Sequence, residues 1–305
     1  MAYRYRPQLV HFKTIDGVQL EAWLWTTPET APAVVMTHGF NCVKEMSLTE
    51  TAEAFYRAGN NVILYDSRGV GGSGGSPRNQ VDPWQMSEDI SDVVSYVATL
   101  PSVNASQIML WGMSLGGTIS ACAAAIDRRV AALILVCPIF KFIRPDKRAS
   151  AFARLMRDRE SQLLGNAAST LQPFNSRGEN PIGYAGSGGR GGKEAYFLMK
   201  TAAEKGHPNF RDRITLQSYH KMALFRPKDL LEEMLEGVPT LMVVPELDDI
   251  SLPQDQKAVF DVLKTPKQLY LAKGKDHMSI LTGEGSDEVR AKMVHFASGA
   301  TRREF

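Results

Sequence analysis

Residues 107–125 read QIMLWGMSLGGTISACAAA and are the most informative segment of the chain about its architecture. Its first part is a short apolar run that predicts a buried strand, and its last part is rich in small residues that predict a closely packed helix. Between them lies the pattern G-x-S-x-G at residues 112–116, followed by Gly117. Ser114 is therefore predicted to lie at a strand-to-helix turn.

A serine at such a turn is a candidate nucleophile. Glycines on either side let a strained backbone lift the hydroxyl out of the fold at the helix N-terminus. The alternative is a tight glycine turn with an idle serine, and the strand and helix predicted around Ser114 favour the nucleophile. A serine hydroxyl attacks poorly until a base removes its proton, so this interpretation requires a histidine and an acid that orients it.

His277 is the best-placed base among the six histidines of the chain. It lies in the loop after the last predicted strand (residues 268–271) and before the last predicted helix (residues 287–297). A base in that loop gives the chain order serine, acid, histidine. The alternative interpretation, a surface loop histidine with no chemical role, is the weaker one at this position.

The acid is expected just after the preceding predicted strand, residues 240–244, where the chain reads Pro245-Glu246-Leu247-Asp248-Asp249. Asp248 is our prediction, because the acid normally lies on the first turn after the strand and Pro253 already opens the next helix. Asp249 is the alternative, and either carboxylate would otherwise be a solvated turn residue.

Attack on a carbonyl builds negative charge on its oxygen, which two preorganised backbone N–H donors can stabilise. Leu115, directly after Ser114, is expected to supply one donor. Phe40 is expected to supply the other, since it follows the predicted strand of residues 33–36 in the sequence His38-Gly39-Phe40. His38 is then predicted to brace that loop rather than to act as a base.

The rest of the chain predicts an α/β fold with a mostly parallel central sheet and helices on both faces. An antiparallel hairpin opens it, because Asp16-Gly17 is a strong turn pair between two strand-like runs. Continuous apolar runs then alternate with helical periodicity, which is typical of a parallel sheet. The predicted strands are 9–14, 18–25, 33–36, 62–65, 108–111, 132–136, 240–244 and 268–271, and the predicted helices are 47–58, 82–100, 115–125, 254–263 and 287–297.

Nearly 100 residues without strand alternation interrupt this pattern, so we predict a core of residues 1–140 and 233–305 with an inserted helical cap at residues 141–232. Helices are expected at residues 149–164 and 194–204. The glycine-rich stretch 183–192 is interpreted as a mobile hinge, because no strand precedes it and no Lys-Ser or Lys-Thr pair ends it, as a phosphate-binding loop would require.

The charge of the chain is unevenly distributed. Residues 141–230 hold 17 Lys or Arg and 8 Asp or Glu, whereas the whole chain has 35 and 33. The net charge of +2 does not suggest nucleic acid. The basic insert is either a solvated helical surface or a docking surface for an anionic partner, such as a coenzyme A thioester or a carrier protein. Arg154, Arg157 and Arg159, on one predicted helix, are the residues of interest.

Composition excludes several classes of protein. The chain has 305 residues, 44% of them hydrophobic and 22% charged, which is typical of a globular protein. No apolar run approaches the roughly 20 residues of a membrane helix, and we expect neither a signal peptide nor a membrane association. The three cysteines, Cys42, Cys122 and Cys137, favour a reducing, cytoplasmic compartment. We expect no cofactor and no metal, because these cysteines are scattered and His277 has no second histidine at ligand spacing.

Together, these motifs resemble the α/β-hydrolase superfamily over nearly the whole chain. The motifs are THGF (37–40), YDSRGVGGSGG (65–75), GMSLGG (112–117), PELDD (245–249) and KDHMS (275–279). In that superfamily the loop resembling residues 66–73 is structural and lines one side of the pocket. PELDD, DHMS and the insert after the sixth strand are similar to fungal hydrolases of polyketide biosynthesis, the thiohydrolases and polyketide acyltransferases. Dienelactone-hydrolase-like enzymes are a more distant match.

The resemblance and the residues imply a serine hydrolase or acyltransferase that acts on a small-molecule ester or thioester. Ser114, Asp248 and His277 would form its catalytic triad and work through an acyl-enzyme. Two alternatives remain: a carbon-carbon bond hydrolase on the same fold that uses water activated by His277, and a ligand binder without catalysis. The sequence does not indicate an oligomeric state.

Overall fold

The computed structural model describes residues 5–207 and 209–304. Eight strands form one sheet in the order β1-β2-β4-β3-β5-β6-β9-β10, and two short strands, β7 and β8, pair with each other outside it. The strands are β1 (Gln8–Lys13), β2 (Gln19–Trp25), β3 (Ala31–Thr37), β4 (Asn61–Tyr65), β5 (Val103–Met113), β6 (Val130–Val136), β7 (Thr170–Leu171), β8 (Ile214–Thr215), β9 (Thr240–Pro245) and β10 (Lys267–Ala272).

The second strand, β2, runs against its neighbours in this sheet. It pairs antiparallel with both β1 and β4, whereas the pairings from β4 through to β10 are parallel. The predicted hairpin turn is present, with Gly17 at φ +85°. All five residues of β4 and all six of β9 are buried, which explains why these strands read as unbroken apolar runs.

Helices cover both faces of the sheet, as predicted. They are α1 (Thr49–Arg57), α2 (Pro83–Ala98), α3 (Leu115–Ile126), α4 (Arg148–Leu163), α5 (Arg190–Glu204), α6 (Leu216–Leu224), α7 (Pro227–Met234), α8 (Pro253–Val262) and α9 (Ser286–Thr301). Apolar residues of α2, α3 and α8 pack in one core, and those of α1 and α9 pack in a second core on the opposite face. Among the described residues, none of the helices has the length and apolar character needed to cross a membrane.

The connection between β6 and β9 holds the insert. The two helices that we predicted there are found as α4 and α5, but α6, α7 and the small β7–β8 pair were not predicted. The absence of strand alternation in this part of the sequence is compatible with β7 and β8, because strands of two residues each are too short for alternation to show. The proposed boundary at residue 232 falls inside α7, which contacts α3 and α8.

The glycine-rich stretch packs closely against the loop that follows β9. A side chain at Gly186 would place its Cβ 2.6 Å from Ile250, and one at Gly189 would place it 2.5 Å from Asp249. Our hinge interpretation attributed these glycines to a need for a flexible backbone. The structure gives them a different role, which is to let the side chains of Asp249 and Ile250 lie directly against the backbone of the insert.

The turn at Ser114 also depends on close backbone approach. A Cβ on Gly112 would lie 2.3 Å from the carbonyl oxygen of Gly116, and a Cβ on Gly116 would lie 2.3 Å from the carbonyl oxygen of His38. The first of these oxygens belongs to α3 and the second directly follows β3, so neither can move without displacing a helix or a strand. The start of α3 is therefore held directly against the ends of β3 and β5.

Gly116→Ala is expected to lower the free energy of unfolding by about 3 kcal/mol, because the added methyl group meets fixed backbone on the β3 side. Gly59→Ala is the control, since Gly59 has φ +87° but a Cβ added there would meet nothing within 4 Å. It is expected to lose only about 1 kcal/mol from backbone strain. Chemical denaturation measures both values, and equal losses would contradict the close-approach argument.

Candidate active site

Ser114 occupies a strained turn between β5 and α3. Its backbone has φ 56° and ψ −123°, in a region that a residue with a side chain rarely adopts. Its N–H donates to the carbonyl of Val136 at 2.8 Å, which ties the turn to the end of β6. The serine is buried, with 6% of its surface exposed. Ser114 therefore lies at the turn between a strand and a helix, as predicted.

The structure brings Ser114, His277 and Asp248 into one hydrogen-bonded chain. The Oγ of Ser114 lies 2.9 Å from Nε2 of His277, and Nδ1 of His277 lies 2.9 Å from Oδ2 and 3.1 Å from Oδ1 of Asp248. The three side chains come from the loops after β5, β10 and β9, all at the carboxyl edge of the parallel sheet. In such a chain the imidazole can accept the serine proton while the carboxylate holds its other N–H.

Three further donors hold the Asp248 carboxylate in place. Its Oδ1 accepts the backbone N–H groups of Ile250 and Ser251 at 2.9 and 2.8 Å, and its Oδ2 accepts the side-chain amide of Gln256 at 3.1 Å. Gln256 is fully buried on α8. We did not predict its role, and the only local signal was Pro253, which marks the start of the helix but not which side chain faces the carboxylate.

Asp249, the alternative acid, points elsewhere. Both of its carboxylate oxygens accept the backbone N–H of Gly191, at 3.0 and 3.1 Å, at the beginning of α5. Of the two neighbouring aspartates, the structure places Asp248 beside His277.

The acid raises the basicity of the histidine. Burial by itself disfavours the imidazolium, but the contacts of the ring with Cys137 and with the Asp248 carboxylate together outweigh burial and hold the pKa of His277 well above 6.5. Cys137 also lies beside the ring, with Sγ 4.0 Å from Nε2 of His277. Because burial raises the pKa of the Cys137 thiol, it is uncharged near neutral pH, and the carboxylate is the charge that matters. No sequence signal pointed to Cys137 in this position.

The two predicted oxyanion donors border the same site. Phe40 lines the cavity next to Ser114, and Leu115 opens α3, where the first N–H groups have no partner within the helix. Neither N–H has a hydrogen-bond acceptor among residues 5–207 and 209–304. Gly39 passes so close that a Cβ there would lie 3.4 Å from the Cβ of Ser114. Both N–H groups are thus free to bind a ligand oxygen.

Buried polar groups brace the loop that carries Phe40. His38 accepts the Ser67 N–H at 3.2 Å through Nε2, and its Nδ1 lies 3.0 Å from the carbonyl oxygen of Gly39. Burial lowers the pKa of His38, which favours the neutral ring that this bonding needs. Lys44, four residues after Phe40, reaches Asp66 at 2.8 Å and Glu21 at 2.6 Å. These contacts agree with our expectation that His38 braces the loop.

One part of the resemblance was wrong. We expected the loop of residues 66–73 to line the pocket, but none of its residues borders the cavity at Ser114. Asp66 instead accepts the backbone N–H groups of Lys44 and Gly72 at 2.7 and 2.9 Å. The loop therefore supports the Phe40 loop from behind.

A cavity of about 390 Å³ opens at Ser114 and His277, and its wall is mainly apolar. This volume is within the usual range for small-molecule sites. The core and the insert both contribute to the wall. Its apolar side chains are Phe40, Met46, Leu48, Met113, Phe174, Tyr184, Ala195, Leu198, Met199, Ile250 and Met278.

Within residues 5–207 and 209–304, two clusters each hold three side chains whose potential metal-ligating atoms lie within 4.8 Å of one another. One consists of Cys137, Asp248 and His277, but both ring nitrogens of that histidine already have hydrogen-bond partners. The other consists of Glu21, Glu45 and Asp66, and the ammonium of Lys44 lies among these three carboxylates. The first cluster is thus accounted for by hydrogen bonds and the second by ion pairs.

Eight strands in this order, with helices on both faces, define the α/β hydrolases, and this chain is an enzyme of that class. It belongs to the family described as serine aminopeptidase, S33, whose sequence profile matches residues 28–283. That span begins just before β3 and ends after His277. All of the candidate site residues lie within it.

Several known proteins are similar to this chain over nearly its whole length. A thiohydrolase from Eupenicillium brefeldianum is 40% identical over 293 residues, which cover 96% of this chain and 94% of that protein. The polyketide transferase ATR5 of Stachybotrys chlorohalonatus is 38% identical and covers 94% of this chain and 95% of its own. The solved structure of DcsB in complex with its substrate analogue is 51% identical, with a TM-score of 0.92 over 96% of this chain and 99% of that one. The resemblance to fungal polyketide enzymes is confirmed.

Asp248→Asn is expected to lower kcat about a thousandfold or more, because the imidazole loses the group that fixes its tautomer. The acid limb of the kcat/KM profile should also move to lower pH, since the lost negative charge no longer raises the pKa of His277. Asp249→Asn is the control and should change kcat less than about threefold, because an amide oxygen can still accept the Gly191 N–H. Initial rates across pH measure both effects, and the reverse order of the two variants would refute the assignment.

Proposed function

We propose that the protein is a serine hydrolase or acyltransferase that works through an acyl-enzyme on Ser114. The observation that carries this proposal is the hydrogen-bonded chain from Ser114 through His277 to Asp248, which ends at the mainly apolar cavity. A non-catalytic binder would have no need for a strained serine that donates to a buried, carboxylate-paired histidine.

In the first half of the reaction, Ser114 attacks the carbonyl carbon of the substrate while His277 takes the hydroxyl proton. The N–H groups of Phe40 and Leu115 bind the oxygen as it becomes negative. The tetrahedral intermediate then expels the thiol or alcohol, which receives the proton from His277. The acyl group remains esterified to Ser114, and Asp248 keeps the ring oriented throughout.

In the second half, His277 removes a proton from the incoming acceptor, which attacks the acyl-enzyme. Water as the acceptor gives a carboxylic acid, and a hydroxyl compound gives a new ester. Both outcomes use the same residues, so the proposal includes hydrolysis and transfer. Relatives named thiohydrolase and polyketide transferase show that both descriptions occur among similar chains.

The cavity indicates the kind of acyl group. Methionines at positions 46, 113, 199 and 278 line it, and their flexible side chains adapt to ligands of irregular shape. Phe40 and Tyr184 stack with ring centroids 4.4 Å apart beside the oxyanion donors. We propose a mainly apolar acyl chain delivered as an ester or thioester, and a polyketide chain is the candidate that the relatives suggest.

Ser114→Ala is expected to abolish turnover, because loss of the nucleophile removes about a millionfold of rate. The wild type should give an acyl adduct on Ser114 by intact-mass measurement after mixing with candidate thioesters, and it should be labelled by a fluorophosphonate. The variant should show neither, while its circular dichroism stays unchanged. Activity of the variant within about tenfold of the wild type would refute the acyl-enzyme mechanism.

The basic insert suggests how an anionic substrate carrier could approach. Arg154, Arg157 and Arg159 on α4 make no ion pair within 4 Å among the described residues. Arg154 and Arg157 line a surface cleft with Asp158, Leu216 and the hydroxyl residues Ser161, Ser169 and Thr170, and Asp158 is buried and hydrogen-bonded to Ser169 and Gln217. We propose that this side of the insert steers a coenzyme A thioester or an acidic carrier protein to the site.

Reversal of Arg154, Arg157 and Arg159 to Glu is expected to lower kcat/KM for a coenzyme A or carrier thioester about tenfold at low salt. The loss should shrink as salt rises, because the Debye length falls from about 30 Å at 0.01 M to about 8 Å at 0.15 M. Reversal of Arg57, Arg128 and Lys292, which are exposed cations outside the insert, is the matched control. If kcat/KM for the thioester and for a small neutral ester respond equally to salt, the basic surface of the insert is merely solvated and does not steer the substrate.

A further inference from the structure

The N-terminus of α5 contacts both loops that carry the candidate base and acid. The loop after β9 contributes Asp249, whose carboxylate accepts the Gly191 N–H at 3.0 and 3.1 Å. The loop after β10 contributes Asp276, whose Oδ2 lies 3.0 Å from the guanidinium of Arg190. Asp249 directly follows Asp248, and Asp276 directly precedes His277. Each contact is therefore one residue away from the proposed catalytic chain.

Asp249 substitutes for a missing helix cap. Residue 189, the N-cap of α5, is a glycine and provides no side-chain hydrogen bond. The carboxylate of Asp249 satisfies a first-turn N–H from outside the helix and lies at its positive end, and both features stabilise a helix start. The start of α5 is thus completed only when the insert is docked on the loop that carries Asp248.

The glycines on the insert side make this approach possible. A Cβ on Gly191 would lie 2.4 Å from Oδ1 of Asp249 and 2.6 Å from the side chain of Ile250, and Gly189 is equally close to the carboxylate. Ile250 in turn donates its N–H to Asp248 and lines the cavity. Movement of the insert at this point would be transmitted to the Asp248 turn.

Asp276 shapes the turn that holds His277. Its Oδ1 accepts the N–H groups of Met278 and Ser279 at 3.2 and 2.8 Å, and the Ser279 hydroxyl at 2.7 Å. Its second oxygen is left for Arg190. The guanidinium also pairs with Glu194 at 2.7 Å, one turn further along α5. The histidine turn is thus linked to the same helix start as the acid turn.

The same helix forms one wall of the cavity, through Glu194, Ala195, Leu198 and Met199. A helix that contacts the substrate is therefore fixed to both loops that carry out the proposed chemistry. Small errors in such placement are costly, because a displacement of about 1 Å can reduce a rate about a hundredfold.

We propose that Asp249 and Arg190 are positioning residues that hold the substrate-contacting helix α5 in register with Asp248 and His277. Asp249 acts through the Asp248 turn, and Arg190 acts through Asp276. The proposal rests on the proposed function, because it assigns the two residues to the alignment of that same site. It also explains why the glycine-rich stretch meets the acid loop so closely.

The test compares Asp249→Ala with Asp249→Asn. The alanine variant cannot accept the Gly191 N–H and is expected to lower kcat about 10-fold to 100-fold, whereas the asparagine variant should stay within about threefold of the wild type. The second-order rate of labelling by a small fluorophosphonate should fall in parallel with kcat. That probe does not need the wall of α5, so a loss of substrate binding alone would raise KM and leave the labelling rate unchanged.

Asp255→Ala is the matched control, because Asp255 also joins the core to the insert, through Lys141 at 2.6 Å, but away from the catalytic chain. It should leave the labelling rate within about twofold of the wild type. Arg190→Gln provides a second variant if Asp249→Ala does not fold, and it should slow labelling about threefold to tenfold, since Arg190 is largely exposed.

Two outcomes would overturn the proposal. Labelling of Asp249→Ala, or of Arg190→Gln where the alanine variant does not fold, at the wild-type rate would show that the contact does not align the site. An equal loss in Asp255→Ala would show that docking of the insert in general, and not this contact, is responsible. If the wild type itself is not labelled on Ser114, the proposed function fails, which separates that failure from failure of the positioning role.

Discussion

The active site depends on one backbone constraint, the strained conformation of Ser114 with its positive φ angle. Such a conformation costs about 1–3 kcal/mol and persists only where the surroundings leave no alternative. Here the N–H of Ser114 is bonded to Val136 on β6, and Gly116 is held against the carbonyl of His38 after β3. Three neighbouring strands thus fix one residue. The same packing leaves the Leu115 N–H without a partner among the described residues, as its proposed role as an oxyanion donor requires.

Much of this site could be predicted from local sequence. Ser114, Asp248 and His277 each follow a short apolar strand at its carboxyl end, and parallel strands bring those ends to one edge of the sheet. The apolar runs also located the strands along the chain. A strand buried on both faces carries apolar residues at consecutive positions, so it is visible as an unbroken apolar run. Local patterns were sufficient wherever one strand and the turn after it determine the position of a side chain.

The parts that escaped prediction depend on packing between distant segments. Gln256 and Cys137 reach the site because α8 and the end of β6 happen to face it, and no local pattern encodes that orientation. The glycines at 189 and 191 were interpreted as part of a mobile hinge. The sequence alone does not distinguish a glycine that a close neighbour requires from a glycine that a bend requires. Helices α6 and α7 were not predicted. They lie in the insert, where the alternation of strands and helices that defines the core is interrupted.

The buried Lys44 makes the amino-terminal hairpin part of the catalytic scaffold. Burial disfavours the ammonium of Lys44, but its pairing with Glu21 on β2, Glu45 and Asp66 after β4 together outweighs burial and raises its pKa. Although β2 lies near the sheet edge, far along the chain from Ser114, its carboxylate helps to hold the loop of Phe40. A chimera that exchanges the hairpin for one from another protein therefore has to retain an acidic residue at position 21. Without it, Lys44 would lose an ion-pair partner and the loop of Phe40 would lose support, although the hairpin does not contact Ser114.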